Sequence, residues 1–229
     1  MFRRNINTGP LVVAAFGPHN SRSASLAAES NFRSCLEVIG SDLSRPILSF
    51  MVEIETQRLR LRLWRVGDWR GLQRAYGDAE VTRWIGGNGP SSTEFTAYAV
   101  GRMTMHWDAL GYGQWAVVEK SSGRLLGRVG LMHHNDWTVD EHNIEIGWTL
   151  QRSCWGQGYA TEGALAARDW AFRNLAIERL ISITLPDNER SQAVMRRIGM
   201  SPQGEAFWRE QNHVYYALDR RDWESLSAR

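Results

Sequence analysis

Trp148-Thr149-Leu150-Gln151-Arg152-Ser153-Cys154-Trp155-Gly156-Gln157-Gly158-Tyr159-Ala160-Thr161-Glu162-Gly163-Ala164 is the stretch on which the fold turns. An apolar run, Ile144 to Leu150, enters it, and a helical pattern, Tyr159 to Phe172, leaves it. The predicted order is strand, glycine loop, helix. Several backbone N–H groups then converge at a helix N-terminus, where about half a positive charge also resides. Gly156 and Gly158 carry no Cβ, so an anion can approach the backbone closely. The reading is a phosphate-binding turn; a plain strand-to-helix turn is the alternative.

Two common phosphate motifs do not fit. A dinucleotide fingerprint needs glycine where Thr161 stands, and a P-loop needs lysine where Tyr159 follows Gly158. The run Trp155-Gly156-Gln157-Gly158-Tyr159-Ala160-Thr161-Glu162 instead resembles the acetyl-CoA loop of the GNAT acetyltransferases. It is most like the branch that contains the ribosomal-protein N-terminal acetyltransferases. That family's loop reads Gln/Arg-x-x-Gly-x-Gly/Ala; Gly158 and Ala160 match, and Trp155 replaces the Gln/Arg, as this branch often does. The replacement removes one polar contact and leaves backbone donors to hold a pyrophosphate.

A second stretch, Pro186 to Met200, reads from its residues as a short helix. Asn188 is its N-cap, Gly199 sits where a C-cap belongs, and Val194 and Ile198 are buried. It resembles the second GNAT signature, Asn-x-x-Ser followed by a helix that ends in Gly and an apolar residue. The resemblance covers about residues 55–224, and two ordered motifs are more specific than either alone. It implies an α/β (α+β) fold: a mixed, mostly antiparallel sheet of about seven strands, splayed at the cofactor site, with helices on both faces.

Composition sets the outer limits. The chain has 229 residues, room for one sizeable domain; it is 43% hydrophobic and 23% charged, as ordinary soluble proteins are. A formal net charge of +2 is too small to argue for nucleic acid. With only Cys35 and Cys154, no disulfide framework is expected and a reducing, cytoplasmic location fits. No apolar run approaches the roughly 18 residues of a membrane span. Residues 1–50 contain none of the 11 tryptophans and are punctuated by Gly9-Pro10 and Gly17-Pro18. They read as a disordered N-terminal tail or as an extension upstream of a natural start at Met51, with a faint likeness to a transit peptide. The domain itself is placed at 51–229.

Along the chain, Arg58-Leu59-Arg60-Leu61-Arg62-Leu63 alternates as a strand with one buried face and a solvated row of arginines. Asp68 is expected to cap a helix to about Tyr76, and Ala79 to Ile85 forms another. Ser91-x-x-Glu94 reads as a capping box for a helix to about Leu110. Most of Trp69, Tyr76, Trp84, Tyr98 and Trp107 on these helices are expected in the core; by resemblance this region also helps shape the acceptor pocket. Strands follow at Gln114 to Glu119, Leu125 to Met132 and His142 to Leu150, a meander. His133 and His134 point to opposite faces, so no metal site is expected there. Ala160, Gly163, Ala164, Ala167 and Ala171 form a small-residue stripe that lets the long helix sit close to the sheet. Arg179 to Leu185 and Val214 to Leu218 complete the strands, and Arg220 to Trp223 end the domain.

The resemblance implies direct transfer of acetyl from acetyl-CoA to a primary amine, with no acyl-enzyme and no metal. Pantetheine would lie beside Ile146, Gly147 and Trp148 like an added strand, and the N–H groups of Gly156, Gln157, Gly158, Tyr159, Ala160 and Thr161 would hold the pyrophosphate. Asn188 would touch the pantetheine arm or the local backbone. Arg152, Arg190, Arg196 and Arg197 are candidates for the 3′-phosphate. Alternation places Asn143, Glu145 and Gly147 on one face, and Glu145 is the expected base. Many relatives use a tyrosine to protonate the thiolate; Met195 stands there, and Ser191 is the substitute. Cys154 is read as incidental. The acceptor is a protein N-terminus or a small-molecule amine. At neutral pH about a tenth of α-amines are free, against well under a thousandth of lysines, a gap of roughly 3.5 kcal/mol. No nucleic-acid or membrane partner is expected, and the chain is a monomer or homodimer. Two other classes remain: a non-catalytic acetyl-CoA-binding module, and a nucleotide-binding oxidoreductase, for which Glu178 lies at the ribose-acid spacing but the meander argues against a βαβ opening.

Overall fold

A computed structural model describes residues 52–86 and 89–227, so the expectation for residues 1–50 lies outside the described residues. Eight strands form one sheet: β1 (Ile54–Glu55), β2 (Leu59–Arg62), β3 (Gln114–Glu119), β4 (Leu125–His133), β5 (Ile144–Leu150), β6 (Arg179–Thr184), β7 (Ser201–Trp208) and β8 (Gln211–Asp219). Their order is β1-β2-β3-β4-β5-β6-β8-β7. Every neighbouring pair is antiparallel except β5 and β6. Six α-helices accompany them: α1 (Trp69–Tyr76), α2 (Ala79–Thr82), α3 (Thr93–Leu110), α4 (Tyr159–Asn174), α5 (Glu189–Arg197) and α6 (Arg220–Ser227).

The sheet is covered on both faces, and strand alternation decides which residue goes where. Trp115 and Val117 of β3, Val129 and Leu131 of β4, Ile146 and Leu150 of β5 and Leu180 of β6 bury against α4, α5 and α6. Ala116, between Trp115 and Val117, faces the other way into a cluster with Leu72, Ala75, Tyr76, Val100 and Met103 from α1 and α3. A third cluster, on that same second face, is built on Ile181 and Ala217. The small-residue stripe does what its spacing predicts: a Cβ added at Gly163 would already touch Val129 at 3.4 Å. Large side chains there would lift α4 off the sheet and expose Val129 and Leu59.

Four local expectations are corrected. The arginines of β2 are not a solvated row: Arg62 is buried and paired with Asp68 by two hydrogen bonds of 2.7 and 2.8 Å. Asp68 therefore stands at the N-cap of α1 without capping it, because its carboxylate serves Arg62 and the Arg65 N–H. The cap of α3 is Ser92, which accepts from Phe95 N–H, and Ser91 lies outside the helix. The sheet gains β1 and β7 over the strands read from sequence. β7 escapes notice because its run Ser-Pro-Gln-Gly-Glu is exposed and polar; as the sheet's last strand it tolerates Pro202, with a bulge before Gly204. Among the described residues no helix is long and apolar enough to cross a membrane.

Candidate active site

β5 is zipped to β4 through seven residue pairs, from Gly127↔Leu150 to His133↔Ile144. On its other side it meets β6 at one pair alone, Glu145↔Ile181. Both strands run the same way and part beyond that point. Ile146, Gly147 and Trp148 thus have β4 on one edge and a diverging slot on the other, as expected for a strand-like ligand arm. Ile146 is fully buried under α4, with Ile144 and Trp148 packed on the same core. Glu145 and Gly147 project from the opposite face; a Cβ on Gly147 would lie 3.6 Å from the Glu145 carboxylate.

The glycine loop closes the C-terminal end of the slot. A short 3₁₀ turn, Arg152–Cys154, is followed by Trp155, whose indole donates to Leu150 O at 3.0 Å. Gln157 folds back to Ser153 O at 2.8 Å. Gly156 and Gly158 both adopt positive φ, +74° and +80°, a region that costs any other residue about 1–2 kcal/mol. Gly158 is the N-cap of α4, and Glu162 N–H is the donor to its carbonyl. The N–H groups of Tyr159, Ala160 and Thr161 come before that bond and have no acceptor within the helix. With two glycines ahead of them, these donors can serve an anionic acceptor from outside the helix.

Arg58 is the loop's support, which the sequence reading missed. Its Nη1 donates to Gln157 O at 2.8 Å, its Nε and N–H bind Glu162 at 2.6 and 2.8 Å, and its guanidinium lies 4.3 Å from the Tyr159 ring centre. Burial pushes the Glu162 carboxyl up, but hydrogen bonds from Thr56 and Arg58 outweigh it and hold the group below its ordinary range. Tyr159 spans to Glu119 at 2.5 Å. Cys154 is buried, and burial raises its thiol above the ordinary value, which keeps it protonated.

Across the slot, Asn188 accepts from Ser191 N–H at 3.2 Å and donates to Thr184 Oγ1 at 3.0 Å, so its amide serves the local structure. Ser191 lies half-buried in the first turn of α5, and Met195 is sealed in the core. The arginine candidates separate. Arg196 is committed to Tyr216 at 2.8 Å, whereas Arg190 stands over the Trp155 ring at 5.0 Å, next to the loop.

Glu145 is half-buried and held: His134 Nε2 lies 2.6 Å from its Oε2. The partner on β4 opposite Glu145 is Met132, and His134, two residues on, shares that face. His133 turns to the other face, where Tyr112 and Asn143 contact its two ring nitrogens at 3.2 and 3.1 Å. Asn143 precedes the strand, and its amide goes to His133 rather than to the Glu145 group. His213 of β8 joins from the far side of the slot. Its Nδ1 lies 3.0 Å from Gln211 O; a carbonyl only accepts, so Nδ1 carries the hydrogen and Nε2 keeps its lone pair. Burial lowers the His213 pKa, against the opposing pull of Glu145. Glu145, His134 and His213 therefore gather around the point where β5 and β6 part. His134 and His213 were not foreseen as parts of the site.

This geometry has relatives. The family model of the acetyltransferase (GNAT) domain matches residues 58–201. Over 183 residues the chain is 27% identical to the uncharacterized N-acetyltransferase YnaD of Bacillus subtilis, covering 75% of this chain and 99% of the relative. A crystal structure of an acetyltransferase from Agrobacterium tumefaciens superposes with a TM-score of 0.64 at 28% identity, over 72% of this chain and 93% of the other. The ribosomal-protein-S5-alanine acetyltransferase of Vibrio fischeri shares the fold, with a TM-score of 0.61 at 20% identity over 75% and 98% of the two chains. The chain belongs to the GNAT acetyltransferase family and is an N-acetyltransferase.

Proposed function

We propose that the protein moves acetyl directly from acetyl-CoA to a primary amine, an α-amine before a lysine. The observation that carries this reading is Glu145. It is a held carboxylate in the one pair that joins β5 to β6, on the open face of a slot that ends at the glycine loop. In this reading the N–H groups from Gly156 to Thr161 bind the pyrophosphate, and Ile146, Gly147 and Trp148 line the pantetheine arm. Acetyl-CoA supplies a thioester whose acyl carbon takes the amine's electron pair as the C–S bond breaks. Glu145 takes the proton that the amine loses, and His134 fixes the carboxylate while it does so. Backbone N–H near Ile146 or Gly147 polarises the acyl oxygen. Ser191 delivers a proton to the departing sulfur. Arg190, over the Trp155 ring, and Arg152, in the turn that opens the loop, are the candidates for the 3′-phosphate. The acceptor is the N-terminal α-amine of a protein or a small-molecule amine, since a weakly basic amine reaches the site already neutral far more often.

The test is calorimetric titration with acetyl-CoA, CoA and NAD, followed by thiol release with peptide and small-amine acceptors. Tight binding of both CoA species with acceptor-dependent thiol release is the expected result. Gly158→Asp, which puts a carboxylate in the loop, should abolish that binding in a folded protein. Unchanged affinity in that variant sinks the loop assignment, and binding without thiol release for any amine points to a non-catalytic module.

A further inference from the structure

On the face that carries Glu145, Trp137 from the β4–β5 loop and Trp208 from the end of β7 meet edge to face, ring centres 5.5 Å apart. His134 packs edge-on against Trp208 at 4.8 Å while its Nε2 holds Glu145. Tyr215 and His213 of β8 close the group, 5.4 Å from Trp137 and 5.7 Å from Trp208. Trp137 is 4% exposed, and both indole nitrogens are shut from solvent. Among the described residues neither N–H finds an acceptor. The indoles of Trp64, Trp107, Trp115, Trp155 and Trp223, by contrast, each donate to an oxygen. Buried orphan donors are uncommon in native folds, and two lie side by side next to the candidate base.

The two tryptophans are also joined at the surface. Arg209 follows Trp208, Asp136 precedes Trp137, and the pair makes hydrogen bonds of 2.8 and 3.0 Å. Both side chains are more than half exposed, so the contact is weak and the hairpin tip can part from the loop. Arg209 also stands over the Trp208 ring at 4.0 Å, but its Nε and Nη2 go to Asp136. Arg209 keeps further N–H groups, but they carry its full charge; the neutral indoles are the donors that suit an uncharged carbonyl.

We propose that Trp137 and Trp208 form an acceptor-recognition subsite whose indole N–H groups bind carbonyl oxygens adjoining the amine to be acetylated. The proposal rests on the acetyl-transfer reading and names what that site recognises. It selects amines that carry an amide or acyl group, such as aminoacyl amides, over plain alkylamines.

The experiment compares two probe sets, alanyl and seryl peptide amides and alkylamines of matched size, in the full chain with acetyl-CoA. Trp137→Phe and Trp208→Phe should each raise KM for the peptide amides about tenfold, the worth of one hydrogen bond. kcat at saturation, acetyl-CoA affinity and the pH profile should stay unchanged, and alkylamine kinetics should shift less than twofold. Where phenylalanine leaves a void, benzothienylalanine at position 137 or 208 replaces N–H by sulfur at the same shape and should reproduce the KM effect. Equal effects on both probe sets would overturn the subsite. So would no effect with equal or higher melting temperature, because the N–H groups would then be spent on neighbouring rings. A peptide-amide set that is neither bound nor acetylated overturns it too. Loss of acetyl-CoA binding by the unaltered protein would instead strike the underlying reading.

Discussion

β5 treats its two neighbours differently. Toward β4 it is zipped along its whole length, and close approach is enforced by glycine: a Cβ on Gly127 would lie 2.1 Å from Thr149 O, and β4 is held as closely on its β3 side, where a Cβ on Gly130 would lie 2.4 Å from Gly113 O. Toward β6 it is joined once and then open, and the groups around the opening are titratable, aromatic or unpaired. Rigidity on one edge is what allows the other edge to stay open. The β4 side fixes where Ile146, Gly147 and Trp148 stand, so the slot keeps its shape without a protein strand to fill it.

The sharpest way to break this contrast is on the zipped edge. Gly127→Ala places a methyl inside the backbone of β5 at φ +154°, and no side chain can move aside to relieve it. We expect a loss of roughly 4 kcal/mol or more, or failure to fold, by urea denaturation. An alanine accommodated with little change would mean that the β4–β5 edge is not rigid. On the open edge Glu145→Gln should leave folding and acetyl-CoA affinity intact. kcat should fall by about 10²–10⁴, roughly 3–5 kcal/mol in barrier. That loss should shrink as pH rises, since more amine arrives neutral. Normal turnover by this variant across pH 6–9 removes Glu145 as the base and leaves His134 or water.

Two smaller effects sharpen the comparison. His106 sits between an acceptor and a donor: Nδ1–H donates to Tyr112 O at 2.8 Å and Nε2 accepts His133 N–H at 3.2 Å. Burial lowers its pKa, as it lowers that of His213. Both groups are neutral in folded and unfolded chains above the unfolded value of about 6.5, so their full stability is present there. Below it the unfolded chain takes up protons that the folded one refuses. Melting temperature should therefore drop as pH falls from about 7 toward 5, and His106→Gln should flatten part of that slope. A slope unchanged in the variant would assign the effect elsewhere. The smallest expected effect is at Arg190, which touches the loop through the Trp155 ring alone. Arg190→Ala should weaken CoA binding a few-fold, with the difference vanishing for dephospho-CoA. An equal loss for both ligands would limit Arg190 to supporting Trp155.

The sequence by itself determined the half of the site whose parts are close together along the chain. Gly156 and Gly158 need positive φ, Asn188 caps a helix, and Ala164, Ala167 and Ala171 let α4 lie close; each property belongs to a residue and its immediate neighbours. Alternation likewise put Glu145 opposite Ile146. The tertiary structure decided the rest, because register and hairpin geometry are long-range. His134 reaches Glu145 only because Met132 pairs with Glu145 across a loop of unpredictable length. The β7–β8 hairpin turns through Arg209 and Glu210 at φ +50° and +62°, a turn that Asn-Gly usually announces and these residues do not. That hairpin delivers Trp208 and His213, and Arg58 becomes the loop's support from about a hundred residues away. Such pairings depend on which strands neighbour which, a property of the assembled sheet that no local pattern encodes.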